Sequence, residues 1–493
     1  MNLASRSNRD NPAHATRRVA KNTAYLALAD VAGKVMVFFF YVLAARQLGV
    51  ERYGVLSFAL AFTTMLGVLT DLGLGTIATR EIARDHGRAQ SQVSSALTIR
   101  LVASAVVIAI IAVLVNLLGY PAATVRVVYI CSVCVLTNAV AALLCAVFQG
   151  FERMELLALN RIAQTAVLVV GAFLLLRGPA ATERYALVCV VAGVVSVTLA
   201  SINAAPRLVR LRLSFAVGHW WDLLRASTPI GLATVFTMFY YWVGTTMLSK
   251  MTGDAAVGSY SAAYRVANGL AFVGFAFSGA VYPLFSRLVA SSSERLARAL
   301  EVSVKYMVMV ALPVAAFGTL FATSVVLLLY GREYYGAAAV LRLLVWWGAF
   351  ASVNSLLSNY LISNGRSGVV TAQTGVSLAV NLGLNLVLIR VLGGLGAALS
   401  IVASEAIGLA YLAASHSRMP QHAQARSVFG GILRVLAALV AALPVAAVVA
   451  RWNWVAGLAA GLSAYVALLI ATRALGSQDM KMLRPLLGGG NPT

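Results

Sequence analysis

An all-α polytopic membrane protein of about fourteen transmembrane helices is the fold class this sequence predicts, and three observations predict it. Hydrophobic residues make up 60% of the 493 and charged residues only 11%, whereas a soluble domain sits near half apolar and a quarter charged. The apolar residues fall into runs of about twenty, the length that crosses a hydrocarbon core. The Lys and Arg residues stand between those runs, as an orientation signal does. They do not gather into the single basic stripe of a nucleic-acid binder. The net charge of +22 therefore points to membrane lipids as partners and to no nucleic acid.

Spans are expected at roughly 22–45, 53–75, 97–117, 125–149, 161–177, 185–204, 226–249, 258–283, 303–330, 338–363, 369–391, 394–414, 432–450 and 453–473. Residues 1–21 are polar and basic and read as a cytoplasmic tail, with a second tail at 476–493. An even number of spans puts both termini on one side. Loops on that side carry Arg80, Arg84, Arg88, Arg153, Arg161, Arg207, Arg210, Arg212, Arg287, Arg295, Arg298, Lys305, Arg366, Arg418 and Arg426, against a poorer opposite set of Arg46, Arg52, Arg177, Arg184, Lys250, Arg332, Arg390 and Arg451. The excess places both termini in the cytoplasm of a multi-pass protein of the cell (inner or plasma) membrane. Trp346, Trp347, Trp452, Trp454, Tyr330, Tyr334 and Tyr335 fall at the far ends of spans, where an aromatic belt belongs. Segments 76–96, 205–225 and 286–302 mix Arg with Leu, Ile and Val at helical spacing and are expected as interfacial amphipathic helices.

The chain also repeats. An offset of 204 aligns Leu48-Gly49 with Thr252-Gly253, Gly54 with Gly258, Ser57 with Ser261 and Gly75 with Gly279. Farther on, Gln149-Gly150 resembles Asn364-Gly365 at a shifted offset. The expected organisation is two six-helix lobes, 22–225 and 226–431, related by a pseudo-two-fold axis along the membrane normal. A C-terminal helix hairpin at 432–475 follows them.

Ionisable residues inside spans cost a few kcal/mol on insertion scales, so they face a cavity or a partner. Lys34 lies mid-span with Asp30 one turn away, as an i,i+4 pair. Arg265 has Asn268 nearby and no acidic neighbour within a turn, which suits an anionic ligand. Asn381 and Asn385 add polar groups to the same expected substrate cavity. Asp30 and Glu405 are candidates for ion coupling. Asp71, Arg80 and Arg84 sit where a cytoplasmic gate would be.

Catalysis finds no support. The five His residues fall in tails or loops, and the outer loops are short. Gly73-x-Gly75 and Gly393-Gly394-x-Gly396 lack a preceding strand, and no phosphate-binding P-loop is present. Cys131-x-x-Cys134, with Cys145 and Cys189, has no second ligand pair, so the thiols read as small apolar fillers with no metal or disulfide. No cofactor is implied.

Asn22-x-x-Tyr25, Ala45-Arg46-x-Leu48-Gly49-x-Glu51-x-Tyr53-Gly54 and Thr70-Asp71-Leu72-Gly73-Leu74-Gly75, followed by Arg80-Glu81-Ile82-Ala83-Arg84, resemble the start of the Wzx-type polysaccharide flippases. These belong to the multidrug/oligosaccharidyl-lipid/polysaccharide exporter superfamily. The resemblance implies a central cationic cavity with Lys34 and Arg265 holding diphosphate or acidic sugar. It implies an undecaprenyl-diphosphate-linked oligosaccharide as cargo, moved to the outer leaflet for polysaccharide assembly beside polymerase machinery, and a transporter rather than an enzyme. Lipid II flippases carry several cavity arginines in the first lobe. This chain offers one lysine there, which argues against lipid II. An ion-coupled drug exporter of the same superfamily is the alternative.

Overall fold

The computed structural model describes residues 12–175, 181–204, 208–215, 217–289, 291–417, 425–472 and 474. Helices and turns make up these residues, with no strand among them. The helices are α1 (Pro12–Gly67), α2 (Leu74–Arg84), α3 (Ala89–Leu117), α4 (Ala122–Gly150), α5 (Met154–Leu175), α6 (Thr182–Ala204), α7 (Val217–Thr252) and α8 (Asp254–Val289). After them come α9 (Ser293–Leu320), α10 (Ala322–Tyr330), α11 (Ala337–Ser363), α12 (Ser367–Leu392), α13 (Gly394–Ser417), α14 (Ala425–Ala450) and α15 (Trp454–Ala471).

Twelve helices among the described residues are long and apolar enough to cross a membrane. The first, Asp30–Thr70, covers most of the two spans expected at 22–45 and 53–75. They join at Gly49, whose φ of 72° and ψ of 172° break the helical path. The expected span at 226–249 falls on α7, which is not one of the twelve because Thr and Tyr residues dilute its apolar run. The expected 303–330 span is interrupted at Phe321, where α9 gives way to α10. Residues 12–21 of the expected tail are helical, as the start of α1. Residues 1–11 and 476–493 lie outside the described residues.

The chain divides into two compact units, Met1–Thr246 and Met247–Thr493. The division falls later than the 225/226 boundary read from the sequence, because the first half of α7 packs into the N-terminal unit. Leu223 is buried with Leu74, Ile77 and Ile99. A Cβ on Gly231 would collide with the Leu72 backbone, so α7 and the turn before α2 touch main chain to main chain.

In the N-terminal unit, α4 packs on α6, α3 and α2, while α5 packs on α1 and α6. In the C-terminal unit, α11 is central, packed on α8, α9 and α13, and α12 packs on α13. The hairpin α14–α15 is held to α9 through Met309, Phe317, Leu439 and Leu469.

The repeat is visible at the corners of each unit. Gly49 and Gly253, aligned by the sequence offset, both have positive φ, at 72° and 88°. At the end of α4, Phe151 N–H donates to Val147 O at 3.0 Å and Arg153 N–H to Phe148 O at 2.8 Å, around Glu152 with φ 56°. At the end of α11, Asn364 N–H donates to Tyr360 O at 3.2 Å and Arg366 N–H to Leu361 O at 2.9 Å, around Gly365 with φ 73°. These are matching helix C-terminal caps. The equivalent of Gly365 is therefore Glu152, not Gly150. Gly150 is helical, and its missing side chain makes room for Ile82, whose Cβ would stand 2.7 Å from an added Cβ.

Segments 76–96 and 286–302 turn apolar residues toward protein. Ile77, Ala78 and Ile82 of α2 are buried, as are Leu296, Ala299 and Leu300 of α9. Their apolar faces meet neighbouring helices, which offer the same apolar burial as lipid with fixed packing. Of the segment 205–225, residues 209–215 are non-helical and the rest from Val217 opens α7. Of the expected aromatic belt, Trp452 and Tyr335 are exposed at 84% and 66%. Trp347, Tyr330 and Tyr334 are instead core residues: Trp347 packs on Tyr264 with ring centroids 5.1 Å apart, and Tyr330 donates to Ala262 O at 3.1 Å.

Candidate functional site

A cavity of about 690 Å³ opens within the N-terminal unit. Its wall is made by polar stripes of several helices. On α2, Thr76, Thr79 and Arg80 recur at helical spacing and face it, opposite the buried Ile77, Ala78 and Ile82. On α4, Asn138, Cys145 and Gln149 line it, and on α5, Asn160, Arg161 and Gln164 do. Arg100 of α3 and Asp71, in the turn after α1, complete it.

The turn is unusual. Leu72 and Gly73 have φ of 41° and 82°, a left-handed pair of which only the second is glycine. A Cβ on Gly73 would lie 2.7 Å from Ser227 O of α7, so no larger residue fits. The turn delivers Asp71 to two partners. Its Oδ1 accepts from Gly75 N–H at 2.9 Å, which serves a free donor of α2's first turn. The same oxygen pairs with Arg100 Nη2.

Arg100 is only 1% exposed. Its Nη1 donates to Ala139 O at 2.6 Å, and its Nε has no partner. Arg161, half-exposed, pairs with Asp30, and Arg80 pairs with Glu81 at 3.1 Å. Asn160 donates to Ser196 Oγ at 2.9 Å while its Oδ1 stays buried without a partner. Three guanidiniums, four carboxamides and threonine hydroxyls thus surround the space. Such a wall suits a polar anionic ligand with many oxygens, since guanidinium forks match oxyanions and carboxamides match hydroxyls.

The sequence-derived candidates are distributed as follows. Asp71 and Arg80 line the cavity, whereas Arg84 is exposed and pairs with Glu81 at 3.4 Å. Asp30 makes an ion pair with Arg161 on α5, and its charge also acts on the exposed Lys34 of its own helix. Arg265 and Asn268 belong to the C-terminal unit, where Asn268 shares a hydrogen bond with Tyr264 and Arg265 lies beside that ring. Asn381 and Asn385 are buried at 1% and 0%, and Asn385 Nδ2 donates to Asn381 Oδ1 at 2.8 Å. Neither presents surface to a ligand in this conformation. Glu405 is 6% exposed and accepts from Asn354 Nδ2 at 2.5 Å. It continues a buried polar seam in which Gln373 donates to Ser377 Oγ at 2.9 Å and Ser377 to Ser404 O at 3.3 Å.

Arg100 and Arg161 are the residues that sequence reading passes over. Arg100 lies inside the expected span 97–117 and was available as an intramembrane charge. Arg161 begins the expected fifth span and so counts as a loop residue there, but α5 starts about two turns earlier, at Met154. The N-terminal unit therefore holds several cavity arginines rather than one lysine. The sequence argument against lipid II, which rested on that scarcity, loses its premise.

A family model described as polysaccharide biosynthesis protein matches residues 19–289, and the MatE model matches residues 229–387. The probable low-salt glycan biosynthesis flippase Agl15 of Haloferax volcanii is 24% identical over 392 residues, covering 79% of this chain and 81% of its own length. Among solved structures, the lipid II flippase MurJ in an inward closed conformation aligns with a TM-score of 0.74 at 14% identity, over 94% of this chain and 99% of that one. An inward-facing multidrug resistance MATE family transporter of the MOP superfamily aligns with a TM-score of 0.62 at 16% identity, over 78% and 94%. At such identities the likeness is one of fold.

Proposed function

The chain belongs to the polysaccharide biosynthesis protein family, and from that premise we propose that it is a flippase for a lipid-linked glycan. The cargo is an undecaprenyl-diphosphate-linked oligosaccharide, carried by alternating access from the cytoplasmic to the outer leaflet for surface polysaccharide assembly. Both termini lie in the cytoplasm, and the lipid carrier's polymerase machinery receives the product.

One observation carries this reading: the cavity of the N-terminal unit is walled by Arg80, Arg100 and Arg161 together with Asn and Gln side chains. A carrier for cationic drugs needs carboxylates and aromatic surfaces in that place. Here the wall carries one carboxylate, Asp71, already committed to Arg100. Guanidiniums supply the diphosphate contact and carboxamides the sugar contacts. Lys34 and Arg265 are assigned further contacts with the anionic head group.

The MatE match and the buried Glu405 favour a second reading, an ion-coupled exporter. Deletion of the gene separates the two. The flippase reading expects loss of surface glycan with accumulation of the lipid-linked precursor. Wild type restores it, while Lys34→Ala, Arg161→Ala and Arg265→Ala, present in the membrane at normal levels, restore it poorly. Unchanged surface glycan with raised drug sensitivity would transfer the function to the exporter.

A further inference from the structure

The flippase reading leaves Arg100 with an unexplained geometry. A guanidinium offers its best two-point site along the Nε–Nη2 edge, which matches two oxygens of a carboxylate or phosphate. In Arg100 this edge is half used. Asp71 reaches Nη2 through a single oxygen, Oδ1, and Nε is buried without a partner. An unsatisfied buried donor is costly to leave unmade. The third nitrogen, Nη1, is fixed to Ala139 O at 2.6 Å, so the fork is held in orientation. The pair is also lopsided in access: Arg100 is 1% exposed while Asp71 is 36% exposed, on the cavity side. The carboxylate is thus the partner that can leave. It has somewhere to remain, because Oδ1 also accepts from Gly75 N–H at 2.9 Å.

We propose that Arg100 is an anion-binding residue that exchanges the Asp71 carboxylate for a phosphate oxyanion of the cargo. Asp71 is then a resident competitor that sets how tightly the cavity holds its cargo. Two phosphate oxygens fill both Nε and Nη2, where Asp71 fills one. On exchange, Asp71 stays at the first turn of α2 and the Leu72–Gly73 turn loses its anchor to α3. Gly75 keeps room for this: a Cβ there would lie 3.0 Å from Arg100 Nη2 and 3.3 Å from Asp71 Oδ1. The phosphate as ligand class rests on the flippase reading; the exchange itself rests on the geometry of the pair.

The test uses the purified full-length chain in lipid nanodiscs, with inorganic pyrophosphate and farnesyl diphosphate as probes. Asp71→Asn removes the competing charge but keeps an oxygen for Gly75 N–H, and should bind pyrophosphate about fivefold tighter than wild type. Arg100→Lys keeps the charge but loses the two-point edge, and should bind about tenfold weaker. Unchanged or weaker binding of both probes by Asp71→Asn, or wild-type affinity for both in Arg100→Lys, overturns the proposal. Should either variant fail to fold, hydrogen exchange on the unaltered chain decides. Pyrophosphate or farnesyl diphosphate should speed exchange in residues 71–75, and unchanged or slower exchange there with both counts against the mechanism. An effect seen with farnesyl diphosphate alone identifies a lipid head group as the ligand, and an effect with both identifies the phosphate itself. If wild type and Arg100→Lys bind both probes equally, this inference fails and the flippase reading stands. If a deletion strain still displays its glycan, the flippase reading fails while pyrophosphate still reports on Arg100.

Discussion

Single residues decide how closely the N-terminal unit's backbone segments approach. Gly231 is the clearest case, because an added Cβ would strike the carbonyl carbon and oxygen of Leu72. Main chain cannot swing aside as a side-chain tip can, so Gly231→Ala should destabilise the protein by about 1–3 kcal/mol. Gly279→Ala is its control: nothing lies within 4 Å of the added methyl, and the site is helical. That change should leave stability within about 0.5 kcal/mol or raise it slightly. Thermal unfolding in detergent compares the two, and equal losses would refute the argument. Both glycines look alike in a sequence where glycine is common. Gly279 even aligns with Gly75, which sits against an ion pair, so sequence alignment carries no information about what a glycine is for.

At the scale of elements, the helix breaks and the short α2 helix matter most. Gly49 adopts φ 72° and ψ 172°, a region that is essentially restricted to glycine. Gly253 has φ 88° with no atom within 4 Å of an added Cβ. Replacing either by Ala should therefore cost about 1–3 kcal/mol through conformation alone, despite the open space at Gly253. A melting temperature unchanged in Gly253→Ala would show that steric room, not φ, governs the site. On α2, Ile82 is fully buried beside Gly150, while Ala83 is exposed. Ile82→Ala should cost about 2–5 kcal/mol and Ala83→Ser little. A helix lying in the lipid interface would instead tolerate both. The amphipathic pattern of residues 76–84 was legible in the sequence. What covers its apolar face was not, because a helix stripe reads the same whether lipid or protein meets it.

Across the whole molecule, the two units repeat their backbone corners and differ in their polar interiors. The N-terminal unit encloses guanidiniums and carboxamides around a cavity, whereas the C-terminal unit closes Asn354, Glu405, Gln373, Ser377, Asn381 and Asn385 into buried hydrogen bonds. Glu405→Gln keeps an oxygen for Asn354 Nδ2, so the variant should fold with a melting temperature close to wild type. Under the flippase reading with Glu405 as an ion-coupling group, it should lose the dependence of glycan export on the ion gradient. Loss of drug resistance with glycan export intact would instead support the exporter.

Composition and the spacing of apolar runs determined the membrane class, the helical content and the repeat with its glycine corners. These are local or additive properties, fixed by how much of the chain water will accept and by which residues tolerate a left-handed turn. The motifs around Gly49 and Asp71 likewise pointed to the family. Tertiary structure decided which charges meet. Asp30 pairs with Arg161 on another helix, Asp71 pairs with Arg100, and Asn385 donates to Asn381. An ion pair is chosen by distance and burial across helices, and neither is encoded in the spacing of residues along one of them.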